Sequence, residues 1–230
     1  MPTASTAGKA ALAFVGLTAL PSLPARSARR ELTLRAVPVA TPAALARLGE
    51  AERANAVIFV PDAFTEHFDP QVLLDAVEVA RRLGLRPFVS PPFLNGKALH
   101  VHGYLGAFER TARRTAERLD KLAETNIPLV GLDPSMTLAY RSEYSGTRMR
   151  ARVQLPQEWL ASLFGRLPSL PGQAKRHLLM AHCTERTNVP AAVSQWSAVF
   201  ARLGVDLTAL DTGCCGMAGT FGHEMRNRDM

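Results

Sequence analysis

Lysine is scarce in this chain, four residues against 23 arginines, and aromatic side chains make up only 7%. The net charge of +7 would otherwise suggest a nucleic-acid or membrane surface. Its carriers, however, are scattered along helical stretches with carboxylates interleaved, as at Arg110, Arg113, Arg114 and Arg118, and no aromatic platform stands ready for bases. That pattern argues against a nucleic-acid module and fits a GC-rich coding bias with solvated helix faces. The densest patch, Arg148-Met149-Arg150-Ala151-Arg152, reads as a solvated loop ahead of a helix opening at Pro156.

No apolar run is long enough to cross a bilayer. The best, Ala10 to Leu20, has the length of a signal-peptide core, but a single lysine, Lys9, precedes it. A set of cysteines suited to a metal belongs in a reducing compartment, where thiols stay free. The expected location is cytoplasmic, with peripheral association at the inner membrane face left open. A glycine-rich turn that follows a strand and cradles a dinucleotide is also absent, so a dinucleotide-binding domain is not expected in these residues.

Cysteine is rarer still. All three lie in the last fifty residues, as His182-Cys183 and, 31 positions on (214 − 183), Gly213-Cys214-Cys215-Gly216. Thiolates are the ligands of choice for iron-sulfur clusters and zinc. Two neighbouring cysteines flanked by glycine can turn both sulfurs to one centre, because glycine permits the sharp turn. A vicinal disulfide is the poorer alternative, since it closes only as a distorted ring. Cys183 by itself could equally be a small buried hydrophobe. His182 is open to three readings: ligand, donor to a sulfur, or plain strand-end residue. His223 is placed similarly on the turn after the cysteines.

The chain also repeats itself. Sliding it by 120 positions pairs Val57–Val60 with His177–Met180, Arg82-Leu83-Gly84 with Arg202-Leu203-Gly204, and Gly96 with Gly216. The same shift sets Asp62-Ala63 on His182-Cys183 and Leu94-Asn95 on Cys214-Cys215, so every cysteine of the second copy is a non-ligand in the first. Two tandem units follow, residues 55–172 without cysteines and 173–230 with them, after a helical or irregular connector over 1–54.

The segments "PDAFTEHFD", "NGKALHVHGYL", "VGLDPSMTLAYRSEY", "EWLASL", "AHCTE" and "TGCCGMAGTFGHE" resemble the cysteine-rich CCG region of FAD-linked, iron-sulfur D-2-hydroxyglutarate and D-lactate dehydrogenases. That region is related to subunits of heterodisulfide reductase and anaerobic glycerol-3-phosphate dehydrogenase, and the likeness covers roughly residues 55 to 230. It implies an oxidoreductase in which Cys183, Cys214 and Cys215 ligate a 4Fe-4S type cluster, with Gly213, Gly216, His182 and His223 around it. FAD would be held by a flavin-binding domain, beside a ferredoxin-like domain, and a downstream carrier would take the electrons. In that family each full unit continues to a further cysteine-bearing turn. The first copy reaches its equivalent at Leu132-Asp133-Pro134-Ser135, whereas only 15 residues follow Cys215 (230 − 215). The chain is thus expected to be a fragment that stops within a helix opening near Gly219, inactive as a dehydrogenase by itself. A zinc-binding structural module, for which Cys₃His is a standard set, and a metal-free docking module are the alternatives. His100 and His102 would face the cluster-less site of the first copy, where they could meet a substrate carboxylate or the flavin domain.

Periodicity gives the elements. Strands are expected at Ala56–Val60, Arg86–Ser90, Ile127–Leu132, His177–Ala181 and Val205–Leu210. Helices are expected at Pro70–Leu83, Leu105–Thr125, Pro134–Tyr140, Pro156–Phe164 and Pro190–Leu203, with a loop over Phe93–Gly103. Alternating strands and helices predict an α/β fold of two tandem pseudo-symmetric units with short parallel sheets, the second truncated. In such sheets sites form at the carboxyl ends of strands, where His182-Cys183 and Gly213-Cys214 fall.

Overall fold

The computed structural model describes residues 24–172, 176–213 and 224–227. The expectations for the signal-like stretch and for Cys214, Cys215, Gly216, Gly219 and His223 lie outside the described residues.

Among the described residues three short helices come first: α1 (Ala28–Leu34), α2 (Pro42–Ala46) and α3 (Glu50–Ala54). Ser27 and Thr41 cap the first two by accepting from backbone N–H groups, and Glu52 reaches back to the Gly49 N–H to start the third. Far from dangling, the segment buries Ala28, Leu32, Leu45 and Leu48, and Val39 bridges in parallel to Val89.

The main sheet is four-stranded and parallel, in the order β2-β1-β3-β4, with β1 (Ala56–Val60), β2 (Arg86–Val89), β3 (Leu129–Gly131) and β4 (Val153–Gln154). Central β1 is buried along its whole length, as expected of a strand covered on both faces. Its side chains alternate: Ile58 and Val60 enter one core and Val57 and Phe59 the other. Over the first face lies α7 (Leu105–Ala123), through Phe108, Ala112, Ala116 and Leu119. The second face is covered by α5 (Pro70–Arg82), through Leu73, Leu74 and Val77, with α1 and the indole of Trp159. Trp159 stands edge-on to Phe59, ring centroids 5.6 Å apart. Each of the buried Val, Leu, Ile and Phe side chains among these stabilises the fold by about 1.5–3 kcal/mol.

Single-turn elements depart from the sequence expectation. The stretch read as a loop over Phe93–Gly103 holds a helix, α6 (Lys97–Val101). Asn95 Oδ1 accepts from Lys97 N–H, and Gly96 adopts φ +82°, so local turn chemistry starts a helix too short to show a period. Two further one-turn helices follow strands directly, α4 (Ala63–His67) and α10 (Cys183–Asn188), each started by a side-chain cap, Asp62 and His182. The three arginines of the arginine-rich stretch are exposed as expected, yet Ala151 is buried, Met149 packs against the core and the stretch runs into β4. Asp120 Oδ1 accepts from the N–H groups of Arg150 and Ala151 and so ties the stretch to α7.

After α8 (Pro134–Ala139) and α9 (Pro156–Ser162), a second sheet pairs β5 (Arg176–Leu179) with β6 (Asp206–Ala209) in parallel, α11 (Ala192–Arg202) linking them. The elements recur at one offset: β1 and β5 (176 − 56), α4 and α10 (183 − 63), and the ends of α5 and α11 (202 − 82) all differ by 120. Strand registers obey it too, since Ala56 faces Arg86 as Arg176 faces Asp206. Burial does not follow. Where β1 is wholly covered, three of the four residues of β5 are exposed, and Leu178 and Met180 show 61% and 64% of their surface. The second unit rests on the first through α11 on α9 and α10 on α8.

Candidate functional site

The two cysteine-bearing segments leave the same end of the small sheet. β5 and β6 run parallel, and pairing continues one step past them, where Leu210 N–H donates to the Leu179 carbonyl at 2.9 Å. From there one strand leads through Met180-Ala181-His182 to Cys183, and its neighbour through Asp211-Thr212 to Gly213, the last described residue before Cys214.

Cys183 is the first residue of α10, with a free and exposed thiol. The buried-hydrophobe reading is thereby overturned for this residue. His182 is half-buried and its Nδ1 accepts from Thr184 N–H at 3.2 Å, which makes it the helix cap and leaves Nε2 as the nitrogen with no cap duty. Gly213 is exposed, and a Cβ built there would meet nothing within 4 Å, so there is open space beside the point where the paired cysteines begin. Cys214, Cys215, Gly216 and His223 lie outside the described residues. Among the described residues no group of three His, Cys, Asp or Glu side chains is placed to hold a metal.

The equivalent place in the first unit is closed by hydrogen bonds. Asp62, 7% exposed, caps α4 by accepting from Phe64 and Thr65 N–H and from Thr65 Oγ1. Asn95 Nδ2 donates to the Met136 carbonyl at 3.0 Å, Tyr144 Oη donates to the Asn95 carbonyl at 2.6 Å, and Thr115 Oγ1 donates to the Leu94 carbonyl at 2.8 Å. Protein donors and acceptors thus hold the loop that aligns with Cys214-Cys215. Asp133 caps α8 from β3, and burial, aided by the Asp62 charge, raises its pKa. His182 of the second unit acts in the opposite sense on the same carboxyl. Burial likewise pushes Tyr140 up to about 12. The polar end of the first unit therefore faces the cap of the cysteine-bearing helix. No linear motif announces that proximity; it follows from α10 packing on α8.

The His100 ring lies against Phe108, centroids 4.9 Å apart and planes tilted by 57°, beside a cavity of about 260 Å³ that Glu109, Arg113 and Glu143 also line. His102 is exposed at the end of α6. No helix among the described residues is long and apolar enough to cross a membrane.

Comparison with known proteins gives this geometry its context. Residues of the chain match D-2-hydroxyglutarate dehydrogenase of Pseudomonas putida at 47% identity over 219 residues, 94% of the chain. The chain is homologous to part of that enzyme. The Escherichia coli D-2-hydroxyglutarate dehydrogenase matches at 38% identity over 94% of the chain. A component of the anaerobic glycerol-3-phosphate dehydrogenase of Escherichia coli matches at 24% over 77%. The chain spans 22% of the length of each of these two D-2-hydroxyglutarate dehydrogenases and 47% of the glycerol-3-phosphate dehydrogenase component. No family model matches the chain. No solved structure matches it.

Proposed function

We propose that this chain is the iron-sulfur electron-transfer region of an FAD-dependent D-2-hydroxy acid dehydrogenase, with D-2-hydroxyglutarate the foremost substrate and D-lactate the second. The observation that carries the reading is the free, exposed Cys183 at the carboxyl end of β5, paired with the strand that leads to Cys214 and Cys215, in a chain homologous to D-2-hydroxyglutarate dehydrogenases along 94% of its length. Cys183, Cys214 and Cys215 would hold the cluster, with His182 and His223 near it and Gly213 and Gly216 giving it room. Such a cluster supplies one-electron steps between a two-electron flavin and a one-electron carrier. Flavin-binding and ferredoxin-like regions and a downstream carrier are the partners that this role requires. The recurrence at 120 positions supports a pseudo-symmetric pair in which the first unit has exchanged ligands for hydrogen bonds. A cytoplasmic setting suits free thiols.

Anaerobic reconstitution with ferrous iron and sulfide tests the reading. The wild-type chain is expected to take up iron and acid-labile sulfide in equal measure, turn brown and give a cluster EPR signal on reduction, while Cys183→Ser loses most of all three. Uptake of zinc with no sulfide requirement would favour the structural zinc module instead. Binding of neither metal would leave the docking module.

A further inference from the structure

Three residues beyond Cys183, on the same face of α10, Arg186 reaches across to the other cysteine-bearing segment. Its Nη1 donates to the Thr212 carbonyl at 2.6 Å and its Nη2 to Asp211 Oδ1 at 2.8 Å. Asp211 and Thr212 immediately precede Gly213 and Cys214. One guanidinium thus fastens the helix that starts with Cys183 to the strand end that leads to the paired cysteines. We propose that Arg186 is a positioning residue that holds Cys183 in register with Cys214 and Cys215. This inference rests on the reading that the three thiols share one site.

Two comparisons within the molecule support it. The small sheet offers little else to fix this end, because β5 is mostly exposed and pairs, among the described residues, with β6 alone. The first unit ties the same two places by another route. Glu66 is the counterpart of Arg186 (186 − 66 = 120) and cannot donate. Arg29 of α1 bonds Glu66 through Nε and Nη2, and its Nη1 donates to the Ser90 carbonyl at 2.8 Å, Ser90 being the counterpart of Leu210 (210 − 90 = 120). Both units therefore brace the helix after the first strand to the exit of the second strand with an arginine. In the second unit the brace lies on the cysteine helix itself.

The Asp211 half contributes less than the carbonyl half. Asp211 is 97% exposed, and solvent-exposed ion pairs add little, whereas a charged donor on a carbonyl is among the stronger hydrogen bonds. A guanidinium spans both acceptors in its fixed fork; a lysine ammonium at the same position could serve only one well.

The test measures thiol proximity without any metal. In chains carrying Cys214→Ser or Cys215→Ser, one partner remains for Cys183, and dibromobimane fluoresces only when it bridges two thiols. Arg186→Met is expected to slow bridging roughly tenfold, Arg186→Lys to fall between, and Asp211→Asn to stay close to the unchanged brace. Far-UV circular dichroism and the urea unfolding midpoint should be unaltered throughout, which separates lost register from lost folding. Bridging by Arg186→Met at the unchanged rate would overturn the inference; if that variant does not fold, an unchanged rate in Arg186→Lys does so. Should Cys183 bridge to neither Cys214 nor Cys215 with Arg186 intact, the shared site itself fails, a result distinct from failure of the brace.

Discussion

Gly84 and Gly204 hold the same left-handed backbone, φ +72° and +70°, just past helices that end 120 positions apart (202 − 82). Their surroundings differ. A Cβ at Gly84 would meet nothing within 4 Å, whereas at Gly204 it would lie 2.1 Å from the Pro171 carbonyl oxygen.

Alanine at these two positions should therefore separate strain from collision. Gly84→Ala is expected to cost about 1–2 kcal/mol, the left-handed penalty of an L-residue. Gly204→Ala adds a backbone clash that no side-chain rotation relieves, for a total of roughly 2–4 kcal/mol. Urea denaturation midpoints check the order, and equal losses would contradict it.

A second prediction concerns pH. Glu158 is half-buried, and burial pushes its pKa up, but donation from Arg141, with the Leu155 N–H and the charge of Arg152, outweighs that and leaves it below the usual 4.5. Arg141 Nη2 also donates to the Val153 carbonyl at 2.7 Å, so the pair ties α9 to β4. A carboxyl with a lowered folded-state pKa stabilises above its unfolded value, and that contribution is lost as pH falls through the folded value. Glu158→Gln should be less stable than wild type by about 1–2 kcal/mol at pH 7. The gap should close below pH 4.5. Thermal unfolding at both pH values measures it, and a gap independent of pH would assign the loss to packing alone.

The main strands and long helices were legible because burial on two faces writes an apolar run at Ala56–Val60 and one-sided packing writes a period into Leu105–Ala123. Glycine and proline marked their ends. The one-turn helices at Ala63–His67, Lys97–Val101 and Cys183–Asn188 escaped, since five or six residues started by a cap or turn carry no period. Strand β4, two residues long, exists through its pairing with β3. At the site, chain order showed that Cys183 follows a strand. Arg186 was unmarked, because its partners lie 25 and 26 positions away and only strand pairing brings them near. The facing of Asp133 and His182 needed the packing of α10 on α8.

Turnover is a third test. Supplied with D-2-hydroxyglutarate or D-lactate and an artificial acceptor, the purified chain is expected to show none, because a hydride acceptor needs a flavin site and the sequence contains no G-x-G-x-x-G pattern. Measurable turnover by these 230 residues alone would overturn the electron-transfer reading.

The last prediction follows from the exposed face of the small sheet. Leu178 and Met180, at and just beyond the end of β5, show 61% and 64% of their surface, and among the described residues β5 has no neighbour on its second edge. In the first sheet the same edge of β1 is taken by β3, with Ile58 paired to Leu129. An apolar strand with a free edge is a template for strand addition by other chains. Changing Leu178→Thr together with Met180→Gln removes apolar surface that is already in water, so the unfolding free energy should move by no more than about 0.5 kcal/mol. Light scattering at high protein concentration should fall, because the edge loses its apolar face while keeping its backbone groups. If the double variant instead lost several kcal/mol of stability, those side chains would have to be packed in solution, and the exposed-edge description of β5 would be wrong.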